Sequence, residues 1–356
     1  MAVRRSKGSA SADFRSLVAH HPRSFALAVG VGLAISTVAL LEAAFFLVDR
    51  VQGRPAVVET DDGEMFVDDD VLGYALLPGS RVRSTKSVDG ENVYDVVYTA
   101  DGYGRRVTPS SGPTSADDVI VLFGCSNTFG EGVEDDQTLA HYLGLSFPDR
   151  AVINAAFRGY GPQQMLALLE DGRLDRFVEG KSVTAIYLFI DYHVERAVGS
   201  MVVTTTWGAN MPAYVLDEEG RPVRLGSFRS TRPLTNWFYA LVSKSNVLGH
   251  YNVDLPILTA GHYELTARII EESAKRLAQK ARRSQFLFVL HPTATRGPSL
   301  VPHLDRSVVE VLDYEGLWGR ADTEFVIAGD WHPTPRAHET LAARIADSMA
   351  AGEHVR

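Results

Sequence analysis

Between residues 118 and 350 the sequence alternates short apolar runs with longer stretches of helical period. The runs are DVIVLF (118–123), AVINAA (151–156), VTAIYLFI (183–190), QFLFVL (285–290) and EFVIAG (324–329). Helix-period segments occupy 135–146, 162–177, 262–282, 304–318 and 335–350. A run that is apolar along its whole length is buried on both faces, and strands separated by helices pair in parallel because each crossover returns the chain to the same edge. The pattern predicts a three-layer α/β/α sandwich around a five-stranded parallel sheet. In open sheets of this kind ligands bind beyond the carboxyl ends of the strands, so the residues just after each run are where chemistry is expected.

Upstream lies a stretch of a different kind. FALAVGVGLAISTVALLEAAFFLV, residues 25–48, carries Glu42 as its only charge. Its 24 residues make a helix of about 36 Å, enough to span a hydrocarbon core of about 30 Å. The first 23 residues hold Arg4, Arg5, Lys7, Arg15 and Arg23 against Asp13 alone, a net +4, which leaves −13 on the rest of a chain whose total is −9. Cations on the N-terminal side favour a cytoplasmic tail and an extracytoplasmic body. The apolar stretch exceeds the core of a signal peptide. Glu42, toward the outer end, is expected to reach the interface by snorkelling or to pair with another protein. The expected organisation is a basic tail (1–23), a transmembrane helix (24–48), a stalk with a small β-hairpin element (49–117) and the α/β domain (118–350). The hairpin is signalled by Asp89-Gly90 between two β-prone runs. Residues 197–260 interrupt the alternation as an insertion, with a second hairpin expected about Glu219-Gly220, and are placed to act as a lid, a substrate surface or packing.

An acidic body without basic clusters argues against nucleic acid as a partner. Cys125 is the only cysteine, so the body forms no internal disulfide. His332 and His338 do not have the spacing of a zinc helix motif, and neither a metal nor a cofactor is expected.

The first run ends in Gly124-Cys125-Ser126-Asn127-Thr128, where glycine permits a sharp turn that presents the serine hydroxyl at the sheet edge. Alternatives fail residue by residue. Gly130 is followed by Glu131 rather than the lysine of a P-loop, the glycines do not follow a dinucleotide fingerprint, and Thr128 stands where an α/β-hydrolase elbow has glycine. After the last run come Asp330 and His332, whose i, i+2 spacing in an extended loop puts carboxylate and imidazole on one side. Pro333 and Pro335 stiffen that loop. An aspartate holding a histidine is the pair a nucleophilic serine needs.

These blocks resemble the SGNH/GDSL hydrolase superfamily over about 118–350. Gly124-Cys125-Ser126 is similar to its first motif, with Cys125 where aspartate is usual. Asn154 followed by Gly159 matches its second, and Asp330-Trp331-His332 its last, with one intervening residue where many members have two. The third block departs: Asp191-Tyr192-His193 follows the third run and no asparagine is present. The resemblance implies a flavodoxin-like fold, a Ser126–His332–Asp330 triad, and an oxyanion hole from the Ser126 and Gly159 amides with His193 as third donor. Asn127, Asn154 and His291 are candidates for contact with substrate. The implied activity is hydrolysis of O-acyl esters, O-acetyl esters of an exported polysaccharide or an acylated small molecule being the expected substrates. Transfer of the acyl group with a membrane-protein partner, or carbohydrate binding without catalysis, are the alternatives.

Overall fold

The structure is a computed structural model describing residues 21–53 and 55–353; residues 1–20 of the basic tail lie outside the described residues. The described chain forms two units: one is built from the N-terminal helix with Lys244–Val253, the other from Pro55–Ser243 and Asp254 onward.

In the first unit, helix α1 (Pro22–Gln52) is 31 residues long with no buried residue, and it is long and apolar enough to cross a membrane. Glu42 has a partner within its own chain. Its carboxylate accepts from the Ser245 hydroxyl and the Asn246 amide, and His250 Nδ1 lies 2.7 Å from Asp49. The segment 244–253 therefore belongs with the helix, although the sequence pattern assigns it to the insertion.

The second unit opens with antiparallel strands β1 (Val57–Asp62), β2 (Phe66–Asp69), β3 (Gly73–Leu76), β4 (Arg81–Val88) and β5 (Glu91–Thr99). β1, β4 and β5 form one sheet, and β2 pairs with β3. The expected Asp89-Gly90 turn has positive φ at both residues, 52° and 85°. Part of the expected stalk is thus strand, held by β1 pairing along β4 from Val57↔Val88 to Asp62↔Arg83.

The central sheet contains β6 (Asp118–Phe123), β7 (Ala151–Asn154) and β8 (Ser182–Phe189). The insertion contributes a separate hairpin, β9 (Pro212–Leu216) and β10 (Pro222–Ser227). Then come β11 (Arg283–Leu290) and β12 (Glu310–Asp313), giving a five-stranded sheet of order β12-β11-β8-β6-β7 with every pairing parallel. In chain order this is 2-1-3-4-5 read from the β7 edge, the doubly wound arrangement in which the direction of winding reverses at the first strand. The fifth strand is a correction. Residues 304–318, expected as helix, supply β12, whereas 324–329 form a loop outside the sheet, with one isolated bridge, Val326↔Pro333, and with Val326 buried in the core. Phe325 there stacks on Trp318 at 4.7 Å, so the apolar side chains that suggest a strand serve a loop.

Helices α2 (Ser126–Phe129), α3 (Leu139–Ser146), α4 (Pro162–Glu170), α5 (Tyr192–Val198), α6 (Pro233–Val242), α7 (Asn246–His250), α8 (Ala260–Lys280) and α9 (Pro335–Glu353) complete the elements used below. Alternation along β6 divides the core. Ile120 and Leu122 pack with Leu139 and Leu143 of α3 and with Leu341, Ile345 and Met349 of α9. Val119, Val121 and Phe123 face the opposite layer, where Ala167 of α4 and Ile270 and Leu277 of α8 are buried. A sheet covered on both faces leaves its strand ends as the place for a site.

Candidate active site

Ser126 follows β6 by way of Gly124, whose φ is 150° and where a Cβ would lie 2.1 Å from Thr128 Oγ1; the turn requires glycine. Ser126 opens α2, and the turn closes at Gly130 (φ 88°), whose amide donates to the Ser126 carbonyl at 2.9 Å. Arg106 staples this turn from below. Its guanidinium is fully buried between the rings of Tyr98 and Phe129, and it donates to the carbonyls of Phe129 at 2.9 Å, Gly130 and Val133 at 2.6 Å while pairing with Asp135 at 3.0 Å. Asn154, at the end of β7, braces it from the side. Nδ2 donates to the Thr128 carbonyl at 3.1 Å and that of Phe129 at 3.4 Å, and Oδ1 accepts the Ala156 amide at 3.2 Å. Every polar atom of Asn154 is spent on positioning, so it does not serve as the substrate contact expected from the sequence.

The Asp330–His332 loop is fixed by its own backbone. The Ile327 amide donates to the His332 carbonyl at 2.9 Å, Asp330 to Ile327 at 2.9 Å and Thr334 to Phe325 at 3.0 Å. Asp330 Oδ1 lies 2.6 Å from His332 Nδ1 and also accepts the Trp331 amide, while Oδ2 accepts from Lys86 Nζ of β4 at 3.0 Å. Burial opposes charge on Asp330, but the bonds from His332, Lys86 and the Trp331 amide outweigh it and hold the carboxyl well below its usual range.

The other nitrogen of His332 faces a group that the sequence pattern does not single out. Nε2 lies 3.4 Å from Glu131 Oε2, and the Glu131 amide donates to the Ser126 carbonyl at 3.0 Å. Glu131 is buried, and its Oε1 accepts from Arg158 at 2.6 Å. Arg158 in turn pairs with Glu59 and with Asp61 of β1, the latter at 3.1 Å. Burial alone lowers the basicity of His332, yet the Glu131 charge and the Asp330 hydrogen bond and charge raise it above the ordinary imidazole value. Burial, chiefly, raises the carboxyl of Glu131. A ring with a carboxylate at each nitrogen is held best with both nitrogens protonated.

Glu131 thus bonds the Ser126 carbonyl through its amide and faces His332 through its carboxylate, while among the described residues no hydrogen bond joins the Ser126 hydroxyl to the imidazole. The backbone amides of Ser126 and Gly159, in the loops that follow adjacent strands β6 and β7, likewise donate to no described acceptor. Gly159 has φ 76°, and a Cβ there would lie 2.4 Å from the Tyr74 hydroxyl and 2.7 Å from Trp207 Nε1.

The remaining sequence-derived candidates lie deeper. His193, expected as third oxyanion donor, is fully buried in α5 with Nδ1 2.7 Å from the Tyr187 hydroxyl and the Cys125 thiol beside its ring. Only Nδ1 is engaged in this way; Nε2, the nitrogen left to donate, has no hydrogen-bond partner among the described residues. Asp191 accepts from the amides of Thr295 at 2.8 Å and Arg296 at 2.9 Å. His291 is buried with Nδ1 2.9 Å from the Thr293 hydroxyl and its ring edge-on to Trp318; burial, chiefly, pushes its pKa down to about 3. Asn127 is buried, its Nδ2 3.6 Å from Cys125 Sγ and its Oδ1 without a described partner. No cluster of metal-ligating side chains is found among the described residues.

Sheet order, the serine after the first sheet strand and the Asp-x-His loop define an α/β/α protein that resembles the SGNH/GDSL hydrolases. No protein-family model matches the sequence, and no curated protein matches it. Among solved structures, the chain is similar to a lipolytic protein of the G-D-S-L family from Veillonella parvula, at 13% identity over 65% of this chain and 97% of that one, TM-score 0.37. It is similar to the acetyl xylan esterase Est2A from Butyrivibrio proteoclasticus at 10% identity over 84% of each chain, TM-score 0.39. A family two carbohydrate esterase from Clostridium thermocellum, in complex with cellohexaose, aligns at 10% identity over 85% of this chain and 90% of that one, TM-score 0.41.

Proposed function

We propose that the protein is a membrane-anchored serine esterase of SGNH type, acting outside the cytoplasm on O-acyl esters, with O-acetyl groups of an exported polysaccharide as the substrate class. The observation that supports this most directly is the 2.6 Å Asp330–His332 contact at the strand ends, beside the turn that carries Ser126.

In this reading His332 accepts the Ser126 proton at Nε2 once the ring is neutral and has turned from Glu131. Such hydrogen bonds are often long in unliganded enzymes and tighten when substrate is present. Ser126 Oγ then attacks the ester carbonyl, and the amides of Ser126 and Gly159 receive the oxyanion. Collapse expels the alcohol, which takes its proton from His332. Water, deprotonated by the same imidazole, attacks the acyl-enzyme and releases the acid. Asp330 keeps the ring oriented throughout, and Lys86 keeps Asp330 ionised.

One observation favours a second reading. Glu131 holds the nitrogen that would serve the serine, an arrangement equally suited to a carbohydrate-binding protein that does not catalyse. Labelling of the full chain with a fluorophosphonate, together with aryl-acetate hydrolysis, separates the two. The esterase reading expects labelling of the wild type, none of Ser126→Ala, and a loss of turnover of about 10³-fold or more. Equal signals from the two proteins reject it. Added oligosaccharide acceptors then distinguish transfer from hydrolysis.

A further inference from the structure

Helix α6 (Pro233–Val242), in the insertion, contains no charged residue. Its inner side is anchored by buried Tyr239 and by Asn236, whose Nδ2 donates to the Phe228 carbonyl at 2.8 Å. Its outer side carries Leu234, Trp237, Phe238 and Leu241 at i, i+3, i+4 and i+7, with exposures of 82, 67, 46 and 58%. A surface helix in water turns such a stripe toward the core and its charges outward; here the stripe is outermost. Elsewhere in the insertion Val215 and Val223, directly paired across β9 and β10, are exposed as well.

The chain itself says what covers this face. Ser245, three residues past the end of α6, bonds Glu42 of α1, and three residues span at most about 11 Å between α-carbons. Glu42 lies six residues, about 9 Å of helix, from the outer end of the apolar run at Val48. Chain length alone therefore keeps the end of α6 within about 11 Å of a residue bonded to the outer part of α1. An uncharged helix with a Trp-bearing apolar stripe is suited to the layer where a bilayer passes from acyl chains to headgroups.

We propose that α6 lies in the outer membrane–water interface, with Leu234, Trp237, Phe238 and Leu241 sunk among the lipid acyl chains. The inference rests on α1 spanning the membrane. It gives the insertion a lipid-facing role.

The full chain is reconstituted in phosphatidylcholine vesicles with a nitroxide on Leu234→Cys or Leu241→Cys; the only native thiol, Cys125, is fully buried. Both labels are expected to collide more often with oxygen than with a water-soluble nickel chelate. Chelate collisions in excess at both sites, or protection from both reagents as beneath a protein partner, overturn the proposal while leaving the anchor intact. Loss of the chain from carbonate-washed vesicles overturns the anchor reading and this inference with it.

Discussion

Asn154→Ala tests how the serine turn is held. Asn154 is buried and makes three hydrogen bonds, but their loss is unequal. The Phe129 carbonyl keeps its bond from Arg106 at 2.9 Å. The Thr128 carbonyl and the Ala156 amide have no other described partner and are left buried and unsatisfied. Each orphaned group costs about 1–3 kcal/mol, so a loss of about 2–6 kcal/mol is expected for the alanine variant. Asn154→Asp is expected to be worse, because it keeps an acceptor for the Ala156 amide but turns a carboxylate oxygen against two carbonyl oxygens. Denaturant unfolding of the full chain in detergent micelles measures both, with the midpoint falling and the slope unchanged. A loss below about 0.5 kcal/mol in the alanine variant, or an aspartate variant more stable than the alanine one, refutes the brace.

Esterase activity should fall away in acid as His332 becomes protonated, and because its pKa is raised this limb lies above that of an ordinary imidazole. Glu131→Gln removes a charge 3.4 Å from Nε2 and should move the acid limb of kcat/KM to lower pH; an unmoved limb sinks the assignment. The depressed carboxyl of Asp330 contributes stability above the unfolded carboxylate range, and that stability is lost as pH falls through its folded value. Lys86→Met removes one partner of a buried carboxylate that keeps His332 and the Trp331 amide, and should cost about 1–3 kcal/mol at neutral pH, read by the same unfolding assay, with less of the loss remaining in acid. Gly159→Ala adds a methyl group into contact with Tyr74 and Trp207 at a left-handed φ and should lower stability by at least about 1–3 kcal/mol; thermal unfolding within error of the wild type would contradict that packing.

The central strands are legible because β6, β8 and β11 each end in an unbroken buried apolar run, Val119–Phe123, Ala185–Phe189 and Phe286–Leu290, as a strand covered on both faces does. β12 is not, since EVLD is a four-residue edge strand, partly exposed and charged at both ends, while the better apolar run at 324–329 folds into a loop. Asp330 and His332 could be paired from their spacing, because two residues of separation suffice to bring the groups together. Glu131 and Arg158 are 27 positions apart, and Lys86 and Asp330 are 244 apart, so no local pattern reveals these contacts. The clue to Glu131 was an acidic residue set between two glycines, Gly130 and Gly132, both at positive φ. Asn154 and His193 are polar and follow strands, which in sequence alone suggests side chains that face substrate. Their partners are main-chain carbonyls in one case and a tyrosine hydroxyl in the other, and neither choice is written in sequence spacing.

Arg106 also bears on where the working unit begins. A fragment cut at residue 118 would keep every strand of the central sheet and all three members of the Ser-His-Asp set. It would leave the carbonyls of Phe129, Gly130 and Val133 without their shared cation, and Asp330 without its ammonium neighbour. The antiparallel strands upstream are thus part of the machinery rather than a spacer, and the smallest portable piece must start ahead of β1.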